Sequence, residues 1–426
     1  MADSNNTGQT QWPVVWVAFG AGIVAATHIG KLPPAMPEIR VALDAGLITG
    51  GWIASMISCT GFALGLIAGS VADRIGQRRV LIFGLFAMTA GSLAGAFAHS
   101  GEIMLISRFV EGIGFTAVTI TGAGMITHVT ADGDRKWALG VWSSYVPVGF
   151  SVMLIAGALV LEAWGLRVLW LISSGITIFW AGVVIKVTAG WRRRQSSDLS
   201  ASSMFNNVAR CVTSPGALLV AGCFALYAAQ HISMMAWLPS YMREVYASGT
   251  LVAATIPAVV LMFNAGGNWF SAWAMGRGIS CWSLLAIGAI GMGLSQIGIF
   301  SAVLPDPARL GFAVMFGIFG GMVPAAALGS VATYTPSPSQ IGTMNGLMVM
   351  GTNTGMLFGP PAAAAVRAAT GNWNDVVWLM VSLATAGLVL AVARTGAACQ
   401  CGPVCGMIHP VRDKRNSRND DRPPQC

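Results

Sequence analysis

The sequence predicts an all-α integral membrane protein with about twelve spanning helices, on three observations. Hydrophobic residues make up 55% of the 426 residues and charged residues only 9%, with a mean hydropathy of +0.67, whereas soluble domains carry about 25% charged residues. Apolar runs of about 20 residues, the length needed to cross a bilayer core, recur along the chain with short links between them. The basic residues gather in alternate links, so the net charge of +8 reads as a topology determinant and not as a nucleic-acid footprint. The 53 glycines fit the same class, because membrane helices use small residues where they pack.

Met1 to Gln11 holds no Lys or Arg, and the apolar run from Trp12 is far longer than a signal-peptide core, so this run reads as helix 1 and not as a cleavable leader. The spans that follow are expected at about Trp12–Met36, Thr49–Ala72, Val80–His99, Ile103–Thr127, Trp137–Leu161 and Val168–Thr188. A second set is expected at about Ala217–Met242, Leu251–Met275, Trp282–Val303, Leu310–Thr333, Ile341–Val366 and Val376–Ala393. With the N-terminus inside, the cytoplasmic links receive Arg74, Arg78, Arg79, Arg135, Lys136, Lys186, Arg192, Arg193, Arg194, Arg210, Arg277, Arg394 and the basic tail. The outer links receive Arg40, Arg167, Arg243, Arg309 and Arg367. Positive charge stays cytoplasmic near helix ends, so both termini are expected inside. Trp12, Trp137, Trp164, Trp191 and Trp373 fall near span ends, as an interfacial belt requires.

The longest polar interruption, Gly190–Pro215, divides the chain into an N-terminal unit (1–189), a central loop (190–215), a C-terminal unit (216–394) and a polar tail (395–426). The two units repeat weakly at an offset of 206 residues: Leu32-Pro33 matches Leu238-Pro239, Met36 matches Met242, and Gly140 and Gly149 match Gly346 and Gly355.

Between the second and third spans lies Gly69-Ser-Val-Ala-Asp73-Arg74-Ile-Gly76-Gln-Arg78-Arg79. This Gly-x3-Asp-Arg-x-Gly-x-Arg-Arg link resembles the signature loop of the major facilitator superfamily of secondary transporters. Arg108-Phe-Val-Glu111-Gly112-Ile-Gly114 is similar to that family's second motif, and Trp237-Leu-Pro-Ser-Tyr241 with Gly359-Pro360-Pro361 looks like its cyanate and small organic-anion branch. The resemblance implies two six-helix bundles, a substrate site between them near the midplane, and alternating access. It also implies a cytoplasmic latch made by Gly69, Asp73, Arg74, Gly76, Arg78 and Arg135, with Asp73 facing the start of helix 11 near Ser339–Thr343. The family's helix 5 antiporter motif is incomplete here, with Met153-Leu154 where Gly-Pro is expected.

Chemistry is expected from the ionisable groups at membrane depth, each of which costs about 2.5–3.5 kcal/mol at a helix centre. His28 and Lys31 share a face of helix 1, Arg108 and Glu111 share one of helix 4, and His231 lies in helix 7. Glu111 is the acid placed clearly inside a span. Three basic groups around one carboxylate favour an anionic substrate held by Arg108, His28 and Lys31, with Asn264 and Asn353 orienting it from the other unit and Glu111 and His231 coupling to protons. Packing roles compete with each assignment: Lys31 is long enough to snorkel to the headgroups, Arg108 and Glu111 form a static pair in the simplest reading, and buried Asn or His often bonds helix to helix.

Catalytic and cofactor sites do not emerge: the chain has no phosphate-binding loop, no dinucleotide fingerprint and no His pair at metal spacing. Cys399, Cys401, Cys405 and His409 in the tail lack paired zinc spacing. The expected partners are a small organic solute, protons and the lipid bilayer, the chain acting as a monomer without nucleic acid. Siderophore or drug export, and a transporter-like membrane sensor, are the competing readings.

Overall fold

The computed structural model describes residues 9–190, 213–331 and 341–398, without the side chains of 67–71, 73, 74, 132, 133, 135, 136, 140, 341, 342 and 394–398. Each run expected to span forms a helix. α1 (Trp12–Gly30) breaks at Lys31 and continues as α2 (Leu32–Ala42), because Pro33 and Pro34 carry no N–H to extend the ladder. Helix 2 is α3 (Leu47–Ser55), a 3-10 turn over Met56–Ser58, and α4 (Cys59–Ile75). α5 (Gln77–Ala96) and α6 (Gly101–Val129) follow, the latter capped by Ser100, whose hydroxyl accepts from the Ile103 N–H at 3.3 Å.

α7 (Asp132–Ser143) leads into α8 (Tyr145–Val187), which is two helices joined at Gly165. There φ is +78°, a conformation that L side chains rarely adopt. The chain folds back at this point, since a Cβ on Gly157 would lie 3.7 Å from Leu169, whereas an unbroken helix would hold these residues about 18 Å apart.

The C-terminal set is α9 (Pro215–Tyr246), α10 (Thr250–Gly276), α11 (Cys281–Ile299), α12 (Asp306–Gly329), α13 (Ile341–Thr370) and α14 (Val376–Ala398). Among the described residues, ten stretches are long and apolar enough to cross a membrane. The 51-residue stretch Trp137–Val187 serves as two spans, and the 30-residue α13 lies beside the others, which gives twelve. Several ends differ from the sequence expectation. Helix 1 runs six residues past Met36, helix 9 stops at Ile299, and helix 10 starts at Asp306, where an acid and Pro307 in the first turn suit a helix N-terminus.

Large apolar side chains such as Phe83, Ile106, Phe179, Met262, Trp269 and Trp378 stand exposed on the outer surface, where only lipid makes their exposure favourable. Helices of the first unit pack on one another, as do those of the second. The two sets meet principally through α3 and α4 against α13, α8 against α10, and α2 against α9. Along the first of these seams the backbones nearly touch. A Cβ would lie 2.7 Å from Pro361 Cα at Gly51, 2.5 Å from Asn353 Cγ at Gly61, and 2.9 Å from the Gly65 carbonyl at Gly346.

Where α2 meets α9 the sets are pinned by charge. Arg243 donates to Glu38 at 2.7 Å, while Arg40 lies 3.9 Å from Glu244. Arg367 (3.4 Å) and the Trp373 indole (2.6 Å) also donate to Glu244. Glu38 and Glu244 are 206 residues apart, so the repeat continues past Met36 and Met242, and each unit's Glu binds the other unit's Arg.

Candidate functional site

The helical spacing that puts His28 beside Lys31 and Arg108 beside Glu111 is realised, and the two pairs converge. All four side chains are 0% exposed. Glu111 Oε1 takes Lys31 Nζ at 2.6 Å and faces His28 Nδ1 at 3.0 Å, while Glu111 Oε2 takes Arg108 Nη1. Arg108 Nη1 also donates to the His28 carbonyl at 2.9 Å, tying α6 to α1. Glu111 fits because α5 offers no side chain opposite it: a Cβ on Gly91 would lie 2.8 Å from Glu111 Cγ.

Neutral partners complete the cluster. Lys31 Nζ donates to Ser92 Oγ at 2.9 Å and lies 4.6 Å from the Trp170 ring centroid, a cation–π contact. Ser92 in turn donates to the Trp170 carbonyl at 3.0 Å. His28 Nε2 meets Thr177 Oγ1 at 2.7 Å, and that hydroxyl donates to the Ser173 carbonyl, also at 2.7 Å. Thr177 therefore accepts from His28 Nε2–H. Neutral His28 then turns its Nδ1 lone pair toward the Lys31 ammonium, 3.4 Å away, which also donates to Glu111 Oε1 and so bridges the imidazole and the carboxylate. Lys31 and Arg108 face a single carboxylate, which leaves one positive charge in excess at full burial. Arg108 Nε and Nη2, Ser107 Oγ and the Trp170 indole N–H have no hydrogen-bond partner among the described residues.

Lys31 does not snorkel, since its ammonium is buried and paired. Among the described residues the charged members come from α1, the break at Lys31 and α6, and the neutral partners from α5 and α8, all inside the first unit. The expected residues of the second unit do not join them. His231 is stacked between Tyr227 (5.3 Å between centroids) and Phe316 (5.8 Å), with Nδ1 buried and unpartnered. Asn264 Nδ2 donates to the Tyr227 hydroxyl at 3.4 Å and accepts from Asn268 through Oδ1 at 3.3 Å. Asn353 donates to the Val349 carbonyl of its own helix at 2.8 Å, and its Oδ1 is buried without a partner.

Of the expected latch, Gly76 ends α4 with φ +103°. Arg78 docks on the C-terminus of α8, donating to Thr188 Oγ1 at 2.8 Å and the Ile185 carbonyl at 3.2 Å. A cation there complements the negative helix end. The side chains of Gly69, Asp73, Arg74 and Arg135, the residues Ser339 and Gln340, and the tail cysteines lie outside the described residues. Sequence reasoning missed Ser92, Trp170, Thr177, Tyr227 and Phe316. The four-residue spacing of Tyr227 and His231 was a usable signal for one ring pair; the others carry no local mark.

A twelve-span helical chain with fully buried, paired charges in one unit and a glycine seam between two units has the build of a membrane carrier. The model of the Major Facilitator Superfamily matches residues 17–316, and the chain belongs to that family of transporters. A probable 4-methylmuconolactone transporter of Cupriavidus pinatubonensis is 26% identical over 228 residues, covering 49% of this chain and 50% of that protein. A methyl viologen resistance protein of Salmonella typhimurium is 28% identical over 187 residues (44% and 37%), and a riboflavin transporter of Clostridioides difficile is 22% identical over 166 (39% and 36%). The matched region thus spans half or less of these relatives' own length. A bacterial homolog of the human lysosomal transporter Spinster, solved inward-facing and occupied, superposes with a TM-score of 0.76 at 16% identity, over 93% of this chain and 98% of that one. That likeness is one of fold.

Proposed function

We propose that this transporter moves a small organic anion by alternating access between its two six-helix units, and that it is coupled to protons. The observation that carries the reading is the buried excess of positive charge: Lys31 and Arg108 share one carboxylate, Glu111, at full burial. A charge imbalance at membrane depth is costly, and an anion offsets it where a cationic drug would deepen it. The contact of two titratable groups, His28 Nδ1 and Glu111 Oε1 at 3.0 Å, supports the coupling, since uptake or release of a proton there changes the cluster's net charge. The Cupriavidus relative, named as a carrier of a lactone, is in keeping with an organic solute. On the same reading the chain works as a monomer in the cell's inner membrane with both termini cytoplasmic. Asp73, Arg74 and Arg135 then latch the cytoplasmic side, and Asn264, Asn353 and His231 serve the substrate path from the second unit.

Reconstituted proteoliposomes test it. Arg108→Ala abolishes flux across a panel of labelled organic anions while the protein still inserts, and Glu111→Gln flattens the dependence of flux on the pH gradient. Unchanged flux and an unchanged pH response would overturn both roles. Drug export is the second reading, supported by the resistance proteins among the relatives; extrusion of methyl viologen that survives Arg108→Ala would favour it.

A further inference from the structure

Arg108 uses only one corner of its guanidinium. Nη1 serves the His28 carbonyl and Glu111, whereas Nε and Nη2 are buried with no hydrogen-bond partner among the described residues. These two nitrogens form one edge of the planar group, the edge whose parallel N–H bonds match the two oxygens of a carboxylate. A charged donor edge left unsatisfied at full burial is disfavoured unless a ligand meets it during the working cycle.

Other unsatisfied polar groups lie on the same face of α6 and on the elements packed against it, toward the seam. α6 carries Arg108, Gly112 and Thr116 at four-residue intervals on one face, next to the face on which Ser107 and Glu111 meet α5. Gly112 brings this face onto the 3-10 turn of helix 2, where a Cβ would lie 2.5 Å from the Ile57 carbonyl. Ser58 Oγ in that turn and Thr116 Oγ1 on α6 are buried and also unpartnered. One turn further, Gly61 packs on Asn353 of α13, whose Oδ1 is in the same condition. The run of unsatisfied groups therefore leads from Arg108 to the meeting of the two units.

We propose that the Nε/Nη2 edge of Arg108 is a carboxylate subsite, which takes the substrate's carboxylate side-on while Glu111 stays on Nη1, with the Ser58 and Thr116 hydroxyls available to the same group. This rests on the organic-anion reading and narrows it to carboxylates over linear, cyanate-like ions. It also removes the need to break the Arg108–Glu111 pair before substrate binds, because the two carboxylates use different parts of one guanidinium.

The smallest carboxylate tests the subsite without knowledge of the substrate. Thermal unfolding of the purified full-length protein in detergent is followed with sodium acetate, sodium chloride and sodium thiocyanate at equal ionic strength. Acetate should stabilise saturably and the other two should not. Arg108→Lys, which keeps the charge but loses the paired donors, should weaken the acetate response about ten-fold or more, the scale of a charge-assisted hydrogen bond. Thr116→Val and Ser58→Ala should each weaken it several-fold. Acetate acting no more strongly than chloride on the native protein overturns the proposal, as does an undiminished response in Arg108→Lys. If that variant fails to fold, an undiminished response in both hydroxyl variants overturns it. Organic-anion flux without an acetate response sinks the subsite alone, and an acetate response without anion flux sinks the transport reading alone.

Discussion

His28 and His231 sit in helices 1 and 7, 203 residues apart, and Glu111 and Phe316 face them from helices 4 and 10, 205 residues apart. In the first unit the imidazole meets a carboxylate that also holds a lysine and an arginine. In the second it lies in a ladder of rings, Phe224, Tyr227, His231 and Phe316, with interplanar angles of 27°, 19° and 12°. Similar backbone repeats thus carry opposite solutions to burying polar atoms in a membrane. The ionic solution concentrates charge, with two cations on one carboxylate. Stacked rings offer a neutral wall instead. The asymmetry teaches that a pseudo-symmetric frame can concentrate its buried charge in one unit while the matching place in the other stays neutral.

The strongest way to break this comparison is to remove the centre of each cluster. Glu111→Ala leaves Lys31 and Arg108 buried without their counter-charge and should destabilise by about 3–5 kcal/mol. His231→Phe keeps the stack and removes an unsatisfied nitrogen, so it should cost less than about 1.5 kcal/mol. Reversible unfolding in mixed micelles measures both, and equal losses would erase the distinction.

A smaller effect probes the packing around each centre. Gly91→Ala drives a methyl against Glu111 and the Ser107 carbonyl, each 2.8 Å from the new carbon, and should cost about 1–3 kcal/mol. Gly320→Ala beside the ring ladder meets Asn264, Tyr227 and His231 at 3.4–3.6 Å. That is ordinary contact, and the gain in helix propensity makes the change neutral or stabilising by up to about 1 kcal/mol. The same unfolding assay decides whether the space beside the ionic centre is tighter than that beside the ring ladder.

The smallest effect is expected at the rim, where both units contribute equally. Glu38 and Arg243 are each about one-third exposed, so Glu38→Arg should cost no more than about 1 kcal/mol. It should nevertheless raise thiol labelling of cysteines placed at that end. The double change with Arg243→Glu should bring labelling back, and a double variant that labels like the single one would show that the crossed pairs do not hold the rim.

Much of this frame was legible. Hydropathy located every span, and the three-residue spacing placed each ionic pair on one helix face. What spacing along one helix does not give is the convergence of residues 83 positions apart in the chain, His28 and Glu111. The expense of intramembrane charge still required such partners to exist. Ser92 and Thr177 carried no signal, because an apolar helix satisfies a lone hydroxyl through its own preceding turn, as Thr89 and Thr121 do here. The 3-10 turn at Met56–Ser58 was hidden because no proline marks it. Of the second unit's rings, Phe224, Tyr227 and His231 share α9, where their spacing is a signal, whereas Phe316 stacks from α12 and leaves no trace in either segment.

The seam between helix 2 and helix 11 has a mechanical meaning of its own. Gly51, Gly65 and Gly346 bring the two helices together backbone to backbone, Gly61 makes room for the Asn353 side chain, and Phe358 packs edge-on against Trp52 and Phe62. The glycine stretches of such a surface work as a plain bearing. At the glycines one helix can roll or slide on the other without side chains having to unlock, so the interlocked rings of Phe358, Trp52 and Phe62 are a local catch and not a continuous row. Further resistance to motion is gathered at the end of the axle, in the crossed Glu38–Arg243 and Arg40–Glu244 pairs, where a few charges act as the brake.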